Sequence, residues 1–386
     1  MTAAVPHTFD EPYLPRNILI ASAIAAAALI GVPVYVYYNG VTGYEVVAYL
    51  FYHLVPGFSI TAGYHRLFSH RAYQAHWTVR LFFAFWGAAA VQNSILAWSQ
   101  HHRVHHKFVD DPVKDPYPVT RGLLHAHIGW VLKKQNHNPE LDRINLNDLQ
   151  NDWVVRWQHK YYWPLVALTN VIIPVGLGYL VDRPLGMFMF ATVLRLFIVE
   201  NIMFSTNSLC HWFGRQPYTD QNSARDSHVL GFFLLGEGYH NYHHRFEYDY
   251  RNGYNWYELD PSKWLIAGLA WLGLTSHLKR ASTSQVANAM SLMAMKRAEK
   301  RLSSRAEWET TKARLEEYRQ SMLEKVRTLE ELLEQTKADL NARHPEAAAR
   351  LAALKARIDE ARAQFQQARD EWRAQLRLAF QAPATA

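Results

Sequence analysis

The chain has 386 residues, 49% of them hydrophobic and 19% charged, with a formal charge of +7. Its mean hydropathy is only -0.22, so a strongly apolar part is averaged with a strongly polar one. A single cysteine, Cys210, excludes an intramolecular disulfide framework and any cysteine-held zinc or iron–sulfur site, and the basic excess comes without an RNA- or DNA-binding signature, which points to anionic lipid headgroups rather than nucleic acid.

Residues 17 to 38 form the first apolar stretch, of membrane-spanning length and preceded by Arg16. A second, from Tyr44 to about Ala62, follows after the short link Asn39-Gly40. The pair reads as a transmembrane hairpin rather than a cleaved signal peptide. Tyr162 to Leu180 and Leu185 to Leu209, separated by Val181-Asp182-Arg183-Pro184, make a second hairpin. Arg195 and Glu200 fall inside the fourth run, where ionisable groups face the protein interior, and mutual pairing is the expectation for them.

The run from Leu81 to Trp98 is long enough to span but is interrupted by Gln92 and Asn93. If it crossed, the histidines before and after it would face opposite sides of the membrane, so we expect one interfacial or re-entrant helix. The two links carry little positive charge, whereas residues 65 to 161 and those beyond 210 are rich in Lys and Arg. The positive-inside rule places both segments in the cytoplasm.

From about Ser284 the composition shifts to Ala, Glu, Arg, Lys and Gln. Leu351, Leu354, Ile358, Ala361, Phe365, Ala368 and Trp372 alternate in steps of three and four, a heptad seam. Trp308, Leu315, Met322, Leu329 and Leu340 repeat it loosely, with Pro345 between the halves. An antiparallel helical hairpin is expected, the alternative being one solvated helix or a partly disordered tail. The predicted fold class is therefore all-α integral membrane. Residues 1–283 supply four transmembrane helices in two hairpins and a helical cap, and residues 284–386 a helical hairpin or coiled coil.

The 20 histidines are grouped rather than scattered. His65 and His70 follow the second span, His102, His105 and His106 follow the Leu81 to Trp98 run, and His240, His243 and His244 form the last group. The i, i+3, i+4 spacing within each triplet puts three imidazoles on one helix face. Neutral imidazole is a common metal ligand, and clusters whose protons would repel make sense when a cation holds them. His211, four residues after Asn207, brings the number to nine, enough for two ions. Asn207 is placed to hold a water that completes one shell. Mostly imidazole coordination is compatible with iron, copper or zinc. The membrane setting favours oxidation of a lipid-soluble substrate.

Through Thr61-Ala62-Gly63-Tyr64-His65, Gln92-Asn93, His102-Arg103-Val104-His105-His106, Asn207-Ser208-Leu209-Cys210-His211 and Gly236-Glu237-Gly238-Tyr239-His240, the chain resembles the stearoyl-CoA (delta-9) family of membrane fatty acid desaturases, over about residues 15 to 280. The resemblance implies a di-iron centre held by the nine histidines, with Asn207 bound through water and no catalytic residue beyond the metals. It implies an oxygen-dependent reaction that gives a cis double bond in a fatty acyl thioester. An unactivated methylene has no acidic proton, so an oxygen-derived oxidant must abstract hydrogen, and regioselectivity comes from how the acyl chain is positioned. Tyr, Trp and small residues at the cytoplasmic ends of the hairpins are expected to line its tunnel.

Asn93 and Trp98 match family positions for substrate binding, whereas Gln100 and His101 stand where the animal enzymes carry an Arg-Asp pair for the headgroup. A coenzyme A thioester is favoured, with an acyl-lipid or acyl-carrier-protein substrate open. Asp115, His127 and Glu237 also match, and their reading is orientation of ligand imidazoles. Electrons are expected from a separate cytochrome b5- or ferredoxin-type carrier with its reductase, since His344-Pro345 lacks the glycines of a haem loop. The tail is read as a self-association or carrier-docking element. The protein is expected in a bacterial inner membrane rather than the endoplasmic reticulum. A related membrane hydroxylase and a non-enzymatic metal-sequestering scaffold are the other readings.

Overall fold

The computed structural model describes residues 11–134, 138–304, 306–341 and 347–381. They divide into two compact units, Met1–Arg215 with Gln221–Arg280, and Gln216–Asp220 with Ala281–Ala386. The architecture is all-α apart from one two-stranded antiparallel pair, Gln74–Ala75 against Thr275–Ser276.

Four helices of the larger unit are long and apolar enough to cross a membrane: Pro15–Asn39, Gly43–Ser69, Tyr162–Tyr179 and Pro184–His211. The second and fourth run beyond the apolar stretches, so His65 and His211 lie on the spanning helices themselves. The Thr42–Glu45 capping box starts the second helix. At this end the two hairpin turns meet. Arg183 donates to Asn39 O and Gly40 O, at 3.0 Å each, and its Nε to Glu45 Oε1 at 3.0 Å. Tyr35 Oη donates to the same Glu45 oxygen at 2.7 Å. Glu45 is fully buried, and this set of donors is what makes a buried carboxylate tolerable there.

The Leu81 to Trp98 run is not one helix. Trp77–Ala88 and Ile95–Phe108 are separate helices, and the link between them holds Val91 and Asn93 at φ 62° and 74°. The polar interruption ends the first helix because its groups are needed elsewhere. Asn93 N donates to Tyr162 Oη at 2.9 Å, Gln92 turns toward Glu200, and Ser94 caps the second helix. Arg195 and Glu200 feel each other's charge but make no direct hydrogen bond. Arg195 is fully buried and donates to Ala191 O, Ala89 O and Asn170 Oδ1, three acceptors that satisfy the guanidinium without Glu200.

The smaller unit holds helices Thr283–Leu302, Trp308–Asn341 and Ala347–Gln381. Leu329 and Leu332 pack with Leu354, Ile358 and Ala361, Met322 and Leu323 with Ala368, and Leu302 and Trp308 with Leu376 and Phe380. Contacts that descend on one helix as they ascend on the other mark an antiparallel pair. His344 and Pro345 lie outside the described residues, as do the side chains of Leu340 and Leu351.

A Cβ on Gly186 would collide with Glu45 Oε1 and Tyr35 Oη. Gly186→Val is therefore expected to cost about 1–3 kcal/mol by overpacking, read as a lower Tm in detergent. An unchanged Tm would contradict the close approach of the two hairpins.

Candidate metal centre

The first pair of histidines owes its spacing to an unusual helix. Ser59–Ser69 winds as a π-helix, and His70 N donates to His65 O at 3.1 Å, an i to i−5 bond. Residues five apart then share a face, which an ordinary 3.6-residue turn would not allow. His102, His105 and His106 stand on Ile95–Phe108, and His211 closes the fourth long helix.

His240–Arg245 is only six residues long, too short to persist alone. Asp226 Oδ1 accepts from the amides of Asn241 and Tyr242 at 2.7 and 3.1 Å and anchors its first turn. Gly236, at φ 104°, and Gly238, where a Cβ would meet the Gly231 backbone, let the chain turn tightly into it.

All nine imidazoles converge in two groups. His65, His70, His102, His106 and His243 form one, and His105, His211, His240 and His244 the other, with the ligating atoms of each group within 4.8 Å of one another. Each triplet is divided between them. His102 and His106, an i, i+4 pair, go to the first group while His105 goes to the second; His240 and His244 go to the second while His243 goes to the first. His106 and His244 stack across the division, centroids 4.3 Å apart and planes at 11°.

Neighbouring Nε2 atoms are 2.7 to 3.1 Å apart: His70 to His102, His65 to His243, His243 to His106, His211 to His240, and His240 to His244. A cation with metal–nitrogen bonds of about 2.1 Å at right angles holds its ligands about 3 Å apart. The donor set therefore fits two ions. Burial, followed by repulsion from neighbouring imidazoles, holds His70, His102, His240, His243 and His244 well below the ordinary imidazole value. Burial brings His106 down to about 4 despite the Glu247 carboxylate beside it. Neutral rings keep their lone pairs for a metal.

Outer nitrogens meet oxygen acceptors. His65 Nδ1 lies 2.9 Å from Glu237 Oε2, His105 Nδ1 2.9 Å from Asp115 Oδ1, and His106 Nδ1 3.1 Å from Glu247 Oε2. His211 Nδ1 is 2.7 Å from Ser223 Oγ, which donates to Asp110 Oδ1 at 2.5 Å. An acceptor at Nδ1 keeps the proton there and turns the Nε2 lone pair inward. Glu237 is held in turn by buried Arg66, at 3.0 Å, and by Asn252 Nδ2, at 2.7 Å. Burial pushes its carboxyl up, but its contacts with the His65 ring and the Arg66 guanidinium outweigh this and leave it below the usual range.

Sequence reasoning picked Glu237 and Asp115 and missed Glu247, Asp110, Ser223 and Arg66. Asp110 and Glu247 are acids within four residues of a triplet, a signal that proximity alone offered. His127 touches no ligand ring. Its Nδ1 is 3.0 Å from Ser208 Oγ and its Nε2 3.3 Å from Asn201 Oδ1.

A cavity of roughly 340 Å³ opens beside the histidines. His65, His102, His105 and His240 line it, as do Asn93, Trp98, His101 and Asn207. Trp98 stacks on His102 with centroids 4.8 Å apart, and burial lowers the pKa of His101. Gln100 is not among the lining residues; its amide donates to Leu141 O at 2.8 Å.

Four membrane-length helices and clustered imidazoles define the class: an integral membrane protein with two histidine clusters able to hold metal. The chain belongs to the fatty acid desaturase family, whose model matches residues 44–273. It is 42% identical over 242 residues to acyl-CoA desaturase 1 of Saccharomyces cerevisiae, covering 62% of this chain and 47% of that one. It is 34% identical to stearoyl-CoA desaturase of Bos taurus, covering 71% and 76%, and 35% identical to stearoyl-CoA desaturase 5 of Homo sapiens, covering 60% and 72%. The chain thus spans about half the length of the yeast relative.

Glu237→Gln removes the charge facing His65 and Arg66. Divalent-metal affinity is expected to fall roughly 10- to 100-fold, measured by chelator competition on the purified protein. Unchanged affinity would count against its orienting role.

Proposed function

We propose that the protein is an oxygen-dependent fatty acyl desaturase that introduces a cis delta-9 double bond into a saturated fatty acyl-CoA at a di-iron centre on the cytoplasmic side of its membrane. The observation that carries this is the convergence of nine imidazoles in two groups whose ligating atoms lie within 4.8 Å of one another, four of them, His65, His102, His105 and His240, lining a partly apolar cavity. The names of the relatives support the acyl-CoA substrate, and the basic segments around the histidines support the sidedness.

Bound there, an iron pair would supply the oxygen activation needed to remove two hydrogens from adjacent methylenes, which no acid–base group can do. His65, His70, His102, His106 and His243 are assigned to one ion, and His105, His211, His240 and His244 to the other, with Asn207 contributing through water. Glu237 and Asp115 hold the protons of His65 and His105 at Nδ1. Trp98, packed flat on His102, walls the acyl chain against the ligand set and excludes water. Each turnover takes one oxygen, the two substrate hydrogens, two protons and two further electrons to give two waters. The electrons are assigned to a separate cytochrome b5- or ferredoxin-type carrier with its reductase.

The test is expression in cells whose fatty acids are analysed, comparing wild type with His243→Ala. A new cis-9 monounsaturated acid that the variant does not make is expected. Hydroxylated acyl products would point to a hydroxylase instead, and unchanged lipids in both cultures would sink the proposal. Purified active protein is expected to carry about two irons per chain.

We assign residues 284–386, which lie outside the family match and pack as helices of their own, to self-association. A chain ending at residue 283 is expected to run as a smaller assembly in detergent sizing. An unchanged assembly would remove that role.

A further inference from the structure

Two short helices outside the four spans are built the wrong way round for water. Pro261–Trp271 buries Ser262, Lys263 and Ile266 and turns Trp264, Trp271 and Leu272 outward, with Trp271 86% exposed. At about 100° per residue the three outward groups share one stripe. The inward polar groups find their partners inside the protein. Ser262 Oγ donates to Leu235 O at 2.9 Å and lies 2.7 Å from Thr61 Oγ1, and Lys263 Nζ donates to Gly253 O at 2.8 Å and Asn255 O at 2.6 Å. A helix beside water turns its polar side outward and its apolar stripe to the core. This one does the reverse.

His228–Phe233 shows the same inversion. Gly231 is buried and faces the Tyr239 ring, while Val229, Phe232 and Phe233, at i, i+3 and i+4, are each more than half exposed. The Ser262 to Leu235 bond joins the end of this helix to the start of the other. A lone exposed apolar side chain is ordinary, but this set on two adjoining helices marks an interaction surface.

The level of the patch along the spanning helices says what covers it. The Leu235 side chain reaches Gly57, where a Cβ would come within 2.9 Å of Leu235 Cδ1, and Ser262 meets Thr61. Gly57 and Thr61 both stand in the apolar stretch of the second spanning helix, before His65. The two short helices are therefore level with the histidine-bearing end of that stretch, and their outward faces continue its lipid-facing surface. Trp is the side chain enriched where acyl chains meet headgroups.

We infer that His228–Phe233 and Pro261–Trp271 form an in-plane membrane attachment, additional to the four spans, whose outward faces are covered by lipid acyl chains. The two helices bracket His240, His243 and His244 along the chain, so the bilayer seats the segment that presents the last triplet.

The metal-loaded full chain is placed in nanodiscs of phosphatidylcholine and phosphatidylglycerol, with both faces open to solutes, and carries a nitrobenzoxadiazole label at Phe233→Cys or Trp271→Cys. The native Cys210 is buried and stays unlabelled. Ile30→Cys, exposed on the first span, and Lys114→Cys, exposed outside the spans, are the references. One quencher is phosphatidylcholine with a nitroxide high on its acyl chain; the other is iodide in the water. With the apolar faces about 5–10 Å into the headgroup and acyl boundary, both labels are expected to be quenched by the nitroxide within about twofold of Ile30→Cys and by iodide at least about fivefold less than Lys114→Cys. Two positions on separate helices guard against a local folding fault at either. Iodide quenching equal to that of Lys114→Cys at either position would put that face in water and overturn the inference. Labels that neither quencher reaches would show a second copy of the chain or another protein on the face, and overturn it equally.

Discussion

Nine imidazole nitrogens aimed at two points inside a protein are an arrangement that water and hydrogen bonding do not stabilise. Each Nε2 gives up solvent on burial, and its neighbours, about 3 Å away, offer lone pairs rather than protons. Protonating the rings would relieve nothing, because burial and mutual repulsion oppose the charge. A cation shared among them would offset the cost. Much of the larger unit follows from meeting that condition. The second long helix overruns its apolar stretch and loosens into π turns to bring His65 and His70 to one face. The fourth overruns to deliver His211. A six-residue helix, unstable by itself, is pinned by Asp226 so that His240, His243 and His244 can be presented.

The opposite end of the long helices carries the complementary burden. Arg183, Glu45 and Tyr35 tie both hairpin turns together, so that the ends bearing the histidines are set by packing rather than left to diverge. Arg195, midway, serves as a polar knot among carbonyls and an amide. The cavity beside the histidines has a mixed wall: Ile60, Trp98, Trp130, Met203 and Phe204 are among its apolar groups, and Gln92, Asn93, Lys133, Glu200 and Asn207 join the histidines as polar ones.

Much of this was legible before any coordinates. Apolar length and short links located three of the four long helices to within a few residues, the second running seven residues past its apolar stretch, and histidine spacing singled out all nine rings. Three things were not legible, each for a physical reason. The five-residue step from His65 to His70 does not fit a 3.6-residue period, and nothing in composition announces π turns. The division of each triplet between two groups depends on how two helices face each other, which periodicity within one helix cannot contain. Glu247 and Asp110 earn their place through space, across elements. The reading of Leu81 to Trp98 as one helix failed because an apolar tally treats Gln92 and Asn93 as blemishes, whereas the Gln92 side chain and the Asn93 amide bond to Glu200 and Tyr162 outside the helix. Arg195 and Glu200 were matched on charge alone, and backbone carbonyls proved the nearer acceptors.

The exchanged arrangement of the two triplets has a consequence for the helices that carry them. Because Ile95–Phe108 and His240–Arg245 each supply two rings to one group and one to the other, neither group can be assembled without both helices, and a substitution that turned either helix would disturb the two groups together.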